Sequence, residues 1–174
     1  MYSALLVGIV AFTAFAFWMV WLLERPTSVS RSLGFGIQYA NVTSWGEPVV
    51  FQRASVDCGA AAVANVLAFY GRSVPLSAIE ENAVITPRGM DIHEVARVLR
   101  QFNLYARIAR LPLHPRTPFI ALRNHHYVAV VPRPGGSEEI VDPWFGDYTD
   151  KTKSFLRVWK GSAIVTISRK ALAE

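Results

Sequence analysis

The sequence predicts an α+β domain, a helical half packed on an antiparallel sheet, preceded by one N-terminal transmembrane helix. Three observations point there. The first 23 residues contain no charged side chain. Between Cys58 and Phe102, alanine-rich and helically spaced apolar stretches dominate. After Leu104 the pattern changes to short runs of β-branched and aromatic residues separated by turn residues. Helices first and antiparallel strands after is the order of an α+β chain.

Residues 1–23 read "MYSALLVGIVAFTAFAFWMVWLL". About 20 apolar residues at roughly 1.5 Å each match a hydrocarbon core of roughly 30 Å. Trp18 and Trp21 lie near one end, where interfacial aromatics are favoured. A cleaved signal peptide would want a basic start, a shorter apolar run and a small-residue exit. This segment has none of these, so an uncleaved anchor is expected, with residues 3–23 in the lipid bilayer. Arg25 and Arg31 follow it, which favours a cytoplasmic face for the rest of the chain over a periplasmic one. Residues 24–48 are rich in Ser, Thr, Gly and Pro and read as a linker, with a short strand around residues 36–42.

The domain proper is expected over residues 49–174, a length suited to one core. Residues 58–70 are alanine-rich and end at Gly71, so they predict a helix. "PLSAIEENAV" from Pro75 predicts a second, with proline in its first turn. "MDIHEVARVLRQF" carries Ile92, Val95, Ala96, Leu99 and Phe102 on one face and predicts a third. "YARIARL" alternates as a strand does. "PFIALR" and "HYVAVVP" follow as strands, and "RPGG" turns the chain into a return strand, "EEIVDP". "KSFLRVWKG" reads as a short helix or turn, and "SAIVTIS" as a last strand.

The net charge of +5 falls entirely after Leu23. The cations are scattered, without aromatic interleaving or zinc-finger spacing, so no nucleic-acid partner is expected. A single cysteine excludes an intrachain disulfide and a multi-cysteine metal site. No cofactor is expected.

That one thiol, Cys58, stands where Ser55-Val-Asp57 gives way to the apolar helix. A helix N-terminus lowers a thiol pKa, and so does a nearby imidazolium. Four histidines compete for the second role. His114 lies in a proline-flanked loop and His93 within a helix, whereas His125 and His126 open a strand. The RPGG hairpin brings the end of the return strand, Asp142, back beside His126. Asp142 can then hold the imidazole of a nucleophile–base–orienter set. Gln52, ahead of the helix, can aim its amide N–H together with the Cys58 backbone N–H at a developing oxyanion. Each residue also has a plainer role. A lone cysteine before alanines is commonly a small buried residue, and Asp before Pro is a common turn opener. Their convergence on one geometry favours Cys58, His126, Asp142 and Gln52 as catalytic.

The pattern Gln52-x4-Asp57-Cys58-Gly59-x-Ala61, with "TPRGMDIHEVARVLRQFNL", "PFIALRNHHYVAVV" and "VDPWFG", resembles the bacteriocin-processing cysteine peptidases. These form the papain-like domain in front of double-glycine-leader exporters, and the resemblance spans roughly residues 49–165. It implies a papain-like fold, with Cys58 as nucleophile, His126 as base, Asp142 as orienter and Gln52 as oxyanion donor. It also implies cleavage after a Gly-Gly pair in a peptide or protein precursor, an exporter or secretion complex as partner, and the bacterial inner membrane as location. Family members often precede six membrane helices and an ATPase; here one anchor precedes the domain instead, as expected of a stand-alone member. Two other functions compete. One is a non-catalytic peptidase-like module that binds a secretion substrate, against which the presence of the cysteine argues. The other is an acyl transferase using the same residues.

Overall fold

A computed structural model describes residues 40–111, 116–160 and 162–169. The expected anchor and most of the expected linker lie outside these residues, as does His114. Among the described residues no helix is long and apolar enough to cross a membrane.

Three helices come first: α1 (Cys58–Phe69), α2 (Leu76–Glu81) and α3 (Ile92–Gln101). Helix α1 is buried from Cys58 to Ala68. A helix apolar on all sides belongs in a core, and its alanines let neighbouring elements approach closely. Gly71, at φ +74°, supplies the left-handed turn that stops it. Pro75 lies just before α2 rather than in its first turn. This helix ends at Glu81, short of the expected run, and Val84 N–H then donates to Glu94 Oε1 at 2.6 Å. Helix α3 is amphipathic and buries Val95, Ala96, Val98 and Leu99. Asp91 caps it, its carboxylate accepting from His93 N–H at 2.7 Å.

The strands are β1 (Leu104–Arg110), β2 (Phe119–Arg123), β3 (His126–Arg133), β4 (Ser137–Asp142), β5 (Gly146–Lys151) and β6 (Ala163–Arg169). A short helix, α4 (Thr152–Val158), precedes β6. One antiparallel sheet runs in the order β1-β6-β2-β3-β4-β5.

Two features of the sheet depart from the sequence expectation. Strand β5, "GDYTDK", was not anticipated, because an outer strand half open to water carries polar residues and lacks an apolar run. The sheet is also covered on both faces, where only one helical side was expected. Ile120, Tyr127, Ala129, Val141 and Val165 face the core shared with α1 and α3. Phe119, Val128, Val130, Ile140 and Ile164 face a second cluster capped by Phe155 and Trp159 at the end of α4. Burial on both faces is why β2 and β3 read as continuous apolar runs.

Residues 40–48, assigned to the linker by composition, lie against the domain. Ala40 pairs with Asp147 of β5, and Trp45 packs edge-on against Phe69 at 5.2 Å. Ser44 donates its N–H and hydroxyl to the buried Glu139 carboxylate at 2.7 and 2.6 Å. Such contacts are invisible in a Ser/Thr/Gly-rich stretch.

Candidate active site

Cys58 is the first residue of α1 and is only 3% exposed. Asp57 precedes it, but its carboxylate does not cap the helix. It accepts instead from Arg53 N–H at 3.0 Å and Ala54 N–H at 3.1 Å, folding residues 53–57 into a closed loop in front of the thiol. Gly59 makes the next contact possible. A Cβ there would meet Met90 Cβ at 3.1 Å and Tyr127 Cδ2 at 3.3 Å. Tyr127 is buried, and its hydroxyl donates to the Met90 carbonyl at 3.1 Å. So the start of β3 is pressed flush against the start of α1, and His126 arrives beside Cys58. Gly89, at φ +87°, brings the loop before α3 in behind: a Cβ there would meet the Val56 carbonyl oxygen at 3.2 Å.

The tight β2–β3 connection decides between the two histidines. Asn124 and His125 both have positive φ, +49° and +63°, and form the two-residue turn that leads from Arg123 to His126. His125 is therefore an exposed turn residue. Its carbonyl accepts from the Cys58 thiol at 3.7 Å. His126 pairs with Arg123 as the first residue of β3. It precedes the helix-facing Tyr127, and Asp142 follows the helix-facing Val141, so the two belong to the same alternation set of the pleat. His126 Nε2 lies 3.0 Å from Asp142 Oδ1. That oxygen also accepts from Trp144 N–H at 2.8 Å and Phe145 N–H at 3.3 Å, so the carboxylate is held in place.

Asp142 is the main cause of a shift in the His126 pKa from 6.5 up to about 9. A hydrogen bond from the ring N–H to the Cys58 sulfur adds to the rise, and burial opposes it. With Nε2 committed to Asp142, Nδ1 is the ring nitrogen left for sulfur. Asp142 thus favours the protonated imidazole.

Gln52 sits in the loop that Asp57 shapes. Its backbone N–H donates to the Pro143 carbonyl at 3.0 Å, joining the loop before Cys58 to the turn after Asp142. Its side-chain N–H donates to the Ala54 carbonyl at 2.7 Å. The amide nitrogen carries a second hydrogen that this bond does not use. The structure thus brings Cys58, His126 and Asp142 together and tethers Gln52 at the edge of the group. Sequence reasoning missed the parts played by Asp57, Gly59, Gly89 and Tyr127. The run Asp57-Cys58-Gly59 held a usable signal, since glycine directly after a candidate nucleophile marks a close approach. Among the described residues no group of three or more His, Cys, Asp or Glu side chains is arranged to hold a metal ion.

Residues 46–171 match the family model described as Peptidase C39 family. The chain belongs to the peptidase C39 family. These are cysteine peptidases, and the α+β arrangement here is their papain-like fold. Among solved structures, a double glycine motif protease from an AMS/PCAT transporter, in complex with the leader peptide, is 28% identical. The match covers 70% of this chain and 91% of that one, with a TM-score of 0.60. The peptidase domain of Streptococcus ComA, a bifunctional ABC transporter involved in quorum sensing, shares the fold at 20% identity and a TM-score of 0.59. That match covers 70% of this chain and 97% of that one. No curated protein matches the chain in sequence. In this C39 domain, then, the grouped Cys58, His126 and Asp142 occupy the junction of the helical half and the sheet.

Proposed function

We propose that this C39 domain is an active thiol peptidase that cuts a peptide precursor after a Gly-Gly leader. The observation that carries the activity is the His126–Asp142 contact at 3.0 Å beside the only thiol of the chain. The likeness to a double glycine motif protease bound to its leader peptide supports the substrate class.

In this mechanism the Cys58 thiolate attacks the carbonyl carbon of the residue before the cut. The oxyanion is met by the Cys58 backbone N–H, freed at the helix N-terminus, and by the spare N–H of Gln52. His126 gives its proton to the departing amine, the C–N bond breaks and a thioester remains. His126, now neutral, takes a proton from water as the water oxygen attacks the thioester; the C–S bond breaks and the thiolate returns. Asp142 keeps the ring aligned and stabilises its charge.

The domain works at a membrane in this proposal, tethered by residues 3–23 on the cytoplasmic side and serving an exporter or secretion complex. Support comes from the uncharged opening segment and the arginines that follow it.

Mass spectrometry of peptides cut by the full chain tests the first part. Cuts after Gly-Gly, lost on Cys58→Ala, are expected; a Cys58→Ala protein that still cuts would refute the mechanism. Carbonate extraction of membranes tests the second. The intact chain should stay in the pellet, and a mature N-terminus within residues 24–34 would refute the tether.

A further inference from the structure

A pocket lies beside the catalytic group. Its volume is about 220 Å³, below the roughly 300–1,000 Å³ typical of small-molecule sites. It is the size for one large side chain. Residues 51–55 form one wall, Pro143 and Trp144 the other. The walls are tied together by the Gln52 N–H bond to the Pro143 carbonyl at 3.0 Å. One wall therefore carries the proposed oxyanion donor, and the other continues directly from Asp142.

Chemistry says which part of a substrate reaches this pocket. His126 must deliver its proton to the departing nitrogen, so that nitrogen lies within hydrogen-bond reach of the imidazole. The residue that owns it, the first of the released peptide, therefore leaves on the His126–Asp142 side of Cys58. Pro143 and Trp144, which follow Asp142 directly in the chain, place one wall of the pocket on that side. Its lining is mainly apolar: Phe51 is 37% exposed and Trp144 58%, and Phe145 beside them 45%. Contiguous exposed apolar surface rimmed by polar residues marks a binding groove. The one charged wall residue, Arg53, is already paired with Glu80.

We infer that Phe51 and Trp144 form the specificity pocket for the residue immediately after the cut, and that it takes an aromatic or large aliphatic side chain. The inference rests on the peptidase activity proposed above. Trp144 holds Asp142 through its backbone N–H, so trimming its side chain leaves that bond in place.

The test is a library of peptides that carry a double-glycine leader and are varied on both sides of the expected cut, digested by the full chain, with every cut located by mass spectrometry. Residues on the two sides of the cut are scored separately. Phe, Tyr, Trp, Leu or Met should follow the cut about tenfold more often than Gly or Asp, the low end of what an apolar pocket discriminates. Trp144→Ala and Phe51→Ala should each bring that ratio near one without altering the preference before the cut. Iodoacetamide alkylation of Cys58 should keep its rate in both variants, which shows that the catalytic group is intact. Trp144→Phe should restore part of the ratio. Cuts with no preference after the scissile bond, or with an acidic one, would overturn the pocket and leave the peptidase standing. So would an equal slowing of all cuts by Trp144→Ala. No cuts at all by the unaltered chain, with Cys58 still alkylated, would overturn the peptidase and the pocket together.

Discussion

The β3–β4 hairpin has two ends built to opposite rules. At the open end, His126 and Asp142 face each other over the start of α1, and the glycines nearby are crowded. Gly59 has Met90 and Tyr127 against it, and Gly89 has the Val56 carbonyl. At the closed end, Arg133-Pro-Gly-Gly turns the chain. Gly135 and Gly136 have positive φ and nothing within 4 Å of where a Cβ would sit. One end needs glycine for space, the other for backbone conformation. Precision has been concentrated where side chains must meet, while the turn needs only to close. Changes at the open end should therefore reach chemistry, and changes at the closed end should stop at stability.

The largest effects should come from the groups that meet at the open end. Cys58→Ala should abolish turnover and thiol labelling while thermal unfolding stays cooperative. His126→Ala should lower turnover by roughly 10⁴-fold or more, as when the base of a triad is lost. His125→Ala, one residue away in the turn, should cost less than about tenfold, since its contact with the thiol runs through its backbone carbonyl. Side-by-side kinetics decide this, and an inverted ranking would place the wrong histidine in the site.

Gln52 should come next. An oxyanion donor acts only as charge develops, so Gln52→Ala should lower kcat by about 100- to 1,000-fold with little change in KM. Alkylation of Cys58 builds no oxyanion and should proceed at its normal rate. If alkylation, turnover and melting temperature fall together, Gln52 merely braces its loop through Ala54.

The two ends can be compared directly with one methyl group each. Gly59→Ala adds a Cβ within 3.1 to 3.3 Å of Met90 and Tyr127. Overpacking of this kind costs about 1 to 3 kcal/mol, partly offset by roughly 1 kcal/mol from replacing a helical glycine. Because Tyr127 carries His126, turnover should also fall by about 10- to 100-fold. Gly135→Ala meets nothing but has to hold a positive φ of +85°, at about 1 to 2 kcal/mol. Its turnover, measured below its melting temperature, should match that of the unaltered chain. Equal loss of activity in the two variants would erase the distinction between the ends.

The smallest effect is a dependence on pH. The folded His126 pKa of about 9 lies above its ordinary 6.5, chiefly through Asp142. The imidazolium contacts therefore stabilise the fold fully below pH 6.5, and their contribution fades as pH rises through about 9. Melting temperatures of the unaltered chain and Asp142→Asn should differ most near pH 6 and converge toward pH 10. A gap that widens with pH would mean that His126 folds neutral. Turnover should fall along the same alkaline limb, as the acid that protonates the amine is lost.

Much of this protein was legible because its signals are local. The alanine run of α1, the periodicity of α3, the Gly71 stop and the RPGG turn each lie within a few residues of chain, and the elements formed where they pointed. The pairing of His126 with Asp142 was also legible, because a short hairpin converts sequence distance into contact. Strand β5 was not, since its polar residues match an outer edge that only the finished sheet defines. The packing of residues 40–48 was hidden for a similar reason: Ser44 looks like linker until buried Glu139 stands across from it.

By itself the sequence determined the class of fold, the one thiol and the short list of side chains that could stand beside it, because propensity, turn chemistry and residue count act without knowledge of the rest. Tertiary structure alone decided that β6 enters between β1 and β2, and that α4 closes the second face. It also decided that Gly59 lets Tyr127 deliver His126 to Cys58. These depend on which surfaces meet, and surfaces far apart in sequence meet only when burying both faces of the sheet selects one arrangement of the whole.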